Sequence, residues 1–548
     1  MIKQICKRFL NCSPSHSVAS AAFIITMAGL VSRLLGLFRD RLLAGTFGAG
    51  DILDAYYAAF RIPDLIYNLL ILGALSAAFI PVFTGLMSKD KKEEAWKLAS
   101  SIMQLAILAV IFISLILAIF APLLIKLITP GFDPEKMSLT VTFTRIMFLS
   151  PLFLGISGIL GGILTSFKKF LTYSLAPIFY NLGIIFGVLF LVKLMGPVGL
   201  AWGVVLGAFL HMLVQWPATK EAGFKFIGTI REALNNKNVR KIGRLMIPRT
   251  MGIAVTQINL LVITVFASTL ASGSLAIFTF AQNLQSVPLG LFGISFAIAV
   301  FPVLSQYFAQ EKEKDFIQSF SQTFRQISFF VIPLSIFMLV LRAQIVRIVL
   351  GSGKFDWEDT ILTFEALGIF VLSLFAQSLI PLLARSFYAM HDTKTPFYIG
   401  LFTEALNIIL ILFLIGKFGL LGLVIAFSSS AIVQMFFLLF VLRMRFSNLD
   451  DKNILKAIFK IALSSVVAGI FIQITKYWTA SWANLDTFWG VFAQLSISAL
   501  IGGGIFVAMS YLLKITEFFE FKNSLWKKLF KNGTKKIPFE DSRKVGGM

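Results

Sequence analysis

Eight charged side chains lie between Ser32 and Pro81, in a stretch bracketed by long apolar runs: Arg33, Arg39, Asp40, Arg41, Asp51, Asp54, Arg61 and Asp64. A charge near the centre of a membrane helix costs about 2.5–3.5 kcal/mol on insertion scales, so these residues need an interfacial position or a wet, protein-lined cavity. Clustered arginines suit an anion, because planar guanidinium forks match phosphate oxygens. A diphosphate on a lipid would fit both the charge and the location. Arg33 and Arg39 stand about 240° apart on a straight helix, so a bend at Gly36 or facing cavity walls would be needed for both to reach one ligand. Asp40 and Asp54 would hold the guanidiniums while no ligand is bound. Arg61 precedes Pro63, where a helix kinks. The competing reading has Arg39, Asp40 and Arg41 snorkelling at a helix end, and for Arg41 it is the favoured one.

The elements that position these charges must be membrane helices. The chain has 548 residues, is 57% hydrophobic and has a mean hydropathy of +0.85. Its 14% of charged residues falls well below the share usual in soluble domains. Apolar runs of about 20 residues recur throughout, the length a helix needs to cross a bilayer. A β-barrel would alternate polar and apolar residues instead. The expected fold is an all-α polytopic membrane protein with about fourteen spans. The net charge of +22 concentrates in loops and in the tail, which points to membrane orientation rather than to nucleic acid. Cys6 and Cys12 lie close to an expected cytoplasmic end and predict no disulfide. The apolar run Val18–Val31 resembles a signal peptide, but the charged stretch follows at once, so it reads as a retained first helix.

Landmarks recur at an offset of 220–223 residues. GFD at 131–133 returns as GKFD at 353–356, Ser166-Phe167 as Ser386-Phe387, Gly196/Gly199/Leu200 as Gly416/Gly419/Leu420, and Gly73 as Gly293. Spans one to six therefore correspond to seven to twelve in the same orientation, as in transporters built from parallel repeats with the substrate bound between them. The expected organisation is a first lobe over 1–216, a basic cytoplasmic loop over 217–244, and a second lobe over 245–443. Two added spans over 453–514 and a charged cytoplasmic tail over 515–548 follow. The loop set that contains both termini is richer in Lys and Arg, which makes it cytoplasmic. Lys168, Lys169 and the 217–244 loop would meet anionic lipid headgroups.

Enzymatic signatures are missing: there is no Walker-type GxxxxGK[ST], HExxH, GxSxG or Cys/His cluster. His211, inside span six, reads as a hydrogen-bonded packing residue. Glu404 and Asn407 share a face of span eleven at i, i+3. With Gln257 and Asn259 of span seven, they would either bind a coupling cation or proton or bond helices together.

The strings SRLLGLFRD, FGAG, DAYYAAFRIPD and GALSAAFIPVF resemble the start of the MurJ/MviN family. So do GFD at 131–133, VPLGLFGISFAIAVFPVLS at 287–305 and RSFYAMHDTKTP at 385–396. The likeness covers spans one to twelve. It implies a two-lobed carrier, related to multidrug and oligosaccharide–lipid exporters, that flips lipid II between leaflets of the bacterial cytoplasmic membrane by alternating access. It also implies a cationic cavity to which Ser32, Arg33, Arg39, Asp40 and Asp54 contribute, with a groove on spans thirteen and fourteen for the polyprenyl tail. No cofactor is implied. The resemblance allows coupling to membrane potential, Na+ or H+, and contacts with other cell-wall synthesis proteins. Alternatives on the same fold are a translocase for lipid-linked oligosaccharides of the O-antigen type and a cation-coupled multidrug exporter.

Four positions depart from the family pattern. Tyr67, Asn68 and Leu72 stand where the family commonly has an arginine pair and an acid, and Asn283 stands where span eight commonly carries an arginine. Arg249, after Pro248, would either supply that missing charge or snorkel at the cytoplasmic surface.

Overall fold

The computed structural model describes residues 18–72 and 79–530. Cys6, Cys12, the repeat landmark Gly73 and the last eighteen residues lie outside them, as do the side chains of Arg249 and of a few neighbours. The described chain is helical, and its helices follow the expected spans. Span one is a single unbroken helix, Val18–Phe47. Span two comprises Asp51–Ala59, Arg61–Ile66, a π-helical turn Tyr67–Leu72 and Ile80–Ser88. Span eight breaks at the equivalent place: Ser274–Pro288, a π turn Leu289–Ile294, then Ser295–Ala309. The repeat thus extends to local irregularity, of the single-turn kind that marks functional sites.

Ten helices among the described residues are long and apolar enough to cross a membrane, and the bent pair Trp357–Leu372 and Leu374–Ala389 makes an eleventh. The expected spans missing from that tally are one, two and seven. Spans one and two carry the charged stretch, and within span seven, Lys237–Ser268, the stretch Gly252–Ser268 is apolar and free of charge. Elsewhere large apolar side chains such as Phe112, Phe413 and Phe459 face outward, as a lipid-facing surface requires.

Each lobe packs closely. Spans five and six (Phe170–Phe186 and Val198–Glu221) meet at Gly183, Gly187, Gly203 and Gly207, where an added Cβ would overlap the facing backbone. Small residues let membrane helices approach this way. Span thirteen, Asp451–Ala480, packs on span nine, Glu313–Val340, through Gly469 against Ile336.

The cores differ at the two ends of the bundle. At the end bearing Gly48–Asp51, Gly131–Pro134, Ala271–Ser274 and Gly351–Asp356, one apolar core draws on both lobes, joining Leu53, Phe143 and Leu200 to Leu275, Phe280, Phe370 and Leu423. At the opposite, basic end the lobes have separate cores, one around Phe79, Trp96 and Ile159, the other around Phe316, Phe387 and Met435. Span seven runs between them: Ile242 joins the first lobe's core, and Asn259 reaches Glu404 of span eleven.

Two boundaries change. The basic loop is shorter than 217–244, because span six continues to Glu221 and span seven starts at Lys237, with a short helix Ile230–Asn235 between them. The tail also starts as structure. Helix Thr516–Phe530 docks on span nine, with Glu517 buried against Arg325 at 2.6 Å and Phe521 edge-on to Phe330. Its apolar and charged residues segregate to opposite faces, which a count of charges does not reveal.

Candidate functional site

The charged residues of spans one and two divide into two groups. The first group lies in the middle of the molecule, where the lobes meet. Arg39 donates from Nε and Nη2 to Asp40 Oδ1 at 3.0 and 2.8 Å, and from Nη1 to Asn181 Oδ1 of span five at 3.1 Å. Asn181 in turn donates to Ser32 O and Oγ at 3.2 and 3.3 Å. The other Asp40 oxygen accepts from Asn283 Nδ2 of span eight at 3.0 Å, so this carboxylate ties the lobes together while only 2% exposed. Arg33 reaches the second lobe directly, donating to Val287 O at 2.8 Å. Its guanidinium lies against Gly290, in the π turn, where a Cβ would overlap it. Span one does not break at Gly36. The arginines instead face opposite walls, Arg39 toward the first lobe and Arg33 toward the second.

Arg61 follows the break at Phe60, and its Nε donates to Thr264 Oγ1 of span seven at 2.8 Å. Arg41 donates to Ile348 O beyond span nine and stacks 5.4 Å over the Phe488 ring at the start of span fourteen. Asn283, neutral where a cation was expected, is satisfied by Asp40 and needs no anion. Arg249 is placed only by its backbone, within the Lys237–Ser268 helix.

The second group closes one end. Asp54 was expected to hold an arginine, and this is corrected: its carboxylate, 1% exposed, accepts from Lys136 Nζ, Gly273 N and Ala276 N at 2.8, 2.8 and 2.9 Å. Gly273 and Ala276 open span eight. The free N–H groups at a helix start attract a carboxylate, and this one comes from the other lobe. Asp51 accepts from Lys136 at 2.8 Å and from Ser272 at 2.6 Å. In the reverse direction, Asp359 of the second lobe accepts from Ala49 N at 2.9 Å, and Gly45 O accepts from Lys354 N at 2.9 Å. Sequence reasoning did not single out Lys136. The available signal was its position three residues after Asp133, whose carboxylate caps the helix through Lys136 N at 2.9 Å.

A third polar cluster lies inside the second lobe. Glu404 accepts from Asn259 Nδ2 and, at 3.5 Å, from Asn407 Nδ2. The Oδ1 atoms of both amides are buried without donors. Gln257 makes no hydrogen bond among the described residues and stands apart from this cluster.

A central group of arginines and one buried carboxylate between two repeated lobes, sealed at one end, is a carrier's architecture with an anion-seeking centre. The sequence profile of the family described as "Lipid II flippase MurJ" matches residues 43–493. The chain belongs to this family. The probable lipid II flippase MurJ of Thermotoga maritima is 31% identical over 497 residues, covering 89% of this chain and 95% of the relative. That of Buchnera aphidicola subsp. Acyrthosiphon pisum is 27% identical, covering 91% and 98%. A solved structure of lipid II flippase MurJ in an inward closed conformation superposes with a TM-score of 0.73 at 26% identity, covering 92% of this chain and 99% of that one. An inward-facing multidrug transporter of the MATE family shares the fold at 17% identity and a TM-score of 0.66. MurJ is a family of transporters, which agrees with the lack of enzymatic signatures in the sequence.

Proposed function

We propose that this chain moves lipid II from the inner to the outer leaflet of the bacterial cytoplasmic membrane by rocking its two lobes. The observation that carries the reading is the Arg33–Arg39–Asp40 group, suspended between two repeated lobes whose cores merge at one end only. By the positive-inside rule the basic end, with both termini, faces the cytoplasm, so the sealed end faces outward. The diphosphate would enter from the cytoplasmic side and displace Asp40 from Arg39 and Val287 O from Arg33. Arg61 would support it, and Arg249 stands at the cytoplasmic start of the same path. Ser32 and Asn181 keep Arg39 oriented, while Asn283 hands Asp40 across to the second lobe. Loss of the Asp54 and Asp359 contacts would then open the outer end.

Coupling belongs to the same reading. Glu404 with Asn407 and Asn259 offers several oxygen acceptors for Na+ or H+, whereas Gln257 does not join them. Membrane potential alone would also favour movement of an anionic headgroup outward. Other cell-wall synthesis proteins are the partners expected around such a carrier. The drug-exporter alternative calls for an acidic, aromatic cavity, and the arginines disfavour it. The test is rescue of flippase-depleted cells. Wild type should restore growth, whereas Arg33→Ala and Arg39→Ala should insert normally and fail. Full rescue by both variants would remove the diphosphate role.

A further inference from the structure

Among the described residues the central charges have protein partners, except around Arg61 and Asp64. Arg39 has Asp40 and Asn181, Arg33 has Val287 O, and Asp40 has Arg39 and Asn283. Asp64, one turn beyond Arg61 on the same short helix, is part-buried. Among the described residues its carboxylate accepts no hydrogen bond and forms no ion pair, and Arg61 is its charged neighbour. The Arg61 guanidinium is committed through Nε to Thr264, which leaves its two terminal nitrogens without a protein acceptor. A carboxylate without a protein partner beside a guanidinium with two uncommitted nitrogens, inside a membrane protein, calls for a functional reason.

The elements around Asp64 offer little else that is charged. Tyr56, Tyr67 and Tyr180 come close enough to feel its field, and His211 of span six lies edge-on behind Tyr180. The second half of span four, Ser150–Ser166, has no ionisable side chain, and span seven has none after Arg249. The charges of span three lie in its first six residues, at the basic end. In the first half of span four Lys136 is committed to Asp51 and Asp54 and Arg145 donates to Ala118 O, so Arg61 is the charge next to Asp64, and a ligand phosphate that engages Arg61 arrives near a second negative charge.

We propose that Asp64 is a proton-binding site linked to the diphosphate: when phosphate oxygens take the free Arg61 nitrogens, the carboxylate takes up a proton. Two anions close to one guanidinium inside the protein repel, and protonating the carboxylate removes the repulsion. The protonated acid can also donate a hydrogen bond to a phosphate oxygen, which the carboxylate cannot. Linkage makes the effect reciprocal: diphosphate favours proton uptake, and acid favours diphosphate binding by the same factor. Each lipid carried would then travel with one proton, entering from the side where the headgroup enters. This inference rests on the diphosphate reading above.

The test is titration calorimetry of undecaprenyl diphosphate into the full-length protein in nanodiscs, repeated in buffers of differing ionisation enthalpy so that protons taken up are counted. Wild type should take up about one proton more per diphosphate than Asp64→Asn at the same pH, because the ligand's own titration is common to both. Asp64→Glu should restore the uptake, and affinity of Asp64→Asn should vary less with pH than that of wild type. Equal uptake by wild type and Asp64→Asn, with both binding, would overturn the proton site and leave the diphosphate reading standing. Failure of wild type to bind undecaprenyl diphosphate at all would overturn both. Thermal unfolding of each variant separates loss of the site from loss of the fold.

Discussion

The two halves of the repeat seal the same end of the molecule with opposite charges. In the first lobe Asp133 caps the start of span four, and three residues on Lys136 carries a cation to Asp51 and Asp54. In the second lobe Asp356 caps the start of span ten through Asp359 N at 2.8 Å, and Asp359 carries an anion to Ala49 N. Gly50 and Gly273 stand at the equivalent starts of spans two and eight. The backbone device has been kept in both lobes and the side chain on it has diverged. A duplicated pair of like charges would repel across the seam. Lys136 instead neutralises, within its own lobe, the carboxylate that caps the other lobe's helix, so the seal joins a first-lobe ion pair to second-lobe N–H groups.

The largest effect should come from removing the cation. Lys136 and Asp54 are 7% and 2% exposed at the side chain, and breaking a buried pair by deleting one partner costs about 3–5 kcal/mol. Lys136→Met should therefore open the sealed end, read as faster labelling of a cysteine placed at Ser274. Unchanged labelling would mean that the apolar core alone holds the seal. Next is the glycine pair. Gly273 has φ +87° and its added Cβ would overlap Ala49 O, whereas Gly50 has φ −141° and room for a Cβ. Gly273→Ala should lower the melting temperature and weaken the seal, while Gly50→Ala should leave both nearly unchanged; equal effects would break the asymmetry. Asp359→Asn should be milder, because the amide oxygen still accepts from Ala49 N and only the charge assistance is lost, on the order of 1 kcal/mol. Its check is thermal unfolding beside Lys136→Met.

The smallest effect lies away from the seal and serves as a control. Asp392, in the turn between spans ten and eleven, accepts from Thr395 N, Thr395 Oγ1 and Arg445. Burial pushes its carboxyl up, but these donors together hold it below the usual carboxylate range. A lowered folded-state value means the contribution is present above the unfolded carboxylate range and is lost as pH falls through the folded one. Protection of the turn's amides, taken relative to their intrinsic exchange rates, should therefore fall on acidification, and Asp392→Asn should remove that dependence without loosening the seal.

Much of the fold was legible because its signals are local. Apolar length gave the helices, and the recurrence of GFD, Ser-Phe and Gly landmarks gave the two lobes. Span two is the one whose polarity most obscures it, since Asp51, Asp54, Arg61 and Asp64 fall within fourteen residues. Arg39 with Asp40 was legible too, since the partners are adjacent. Asp54 was not: its partners at Lys136, Gly273 and Ala276 are 82 to 222 residues away, and two of them are backbone N–H groups that no residue type advertises. Nor was the place of Arg33, which depends on a π turn and on Gly290 leaving room. Asn283 looked like a missing cation. It proves instead to be a hydrogen-bond donor that lets Asp40 join the lobes.

The central claim is that the arginines between the lobes carry the headgroup across. Translocation of lipid II in proteoliposomes, followed by the appearance of headgroup accessible to an external enzyme, tests it most directly. Arg33→Gln and Arg39→Gln should reconstitute with wild-type melting temperatures and translocate at least tenfold more slowly, the cost of losing about 1.4 kcal/mol or more of charge-assisted bonding. Wild-type rates from both variants would contradict the account.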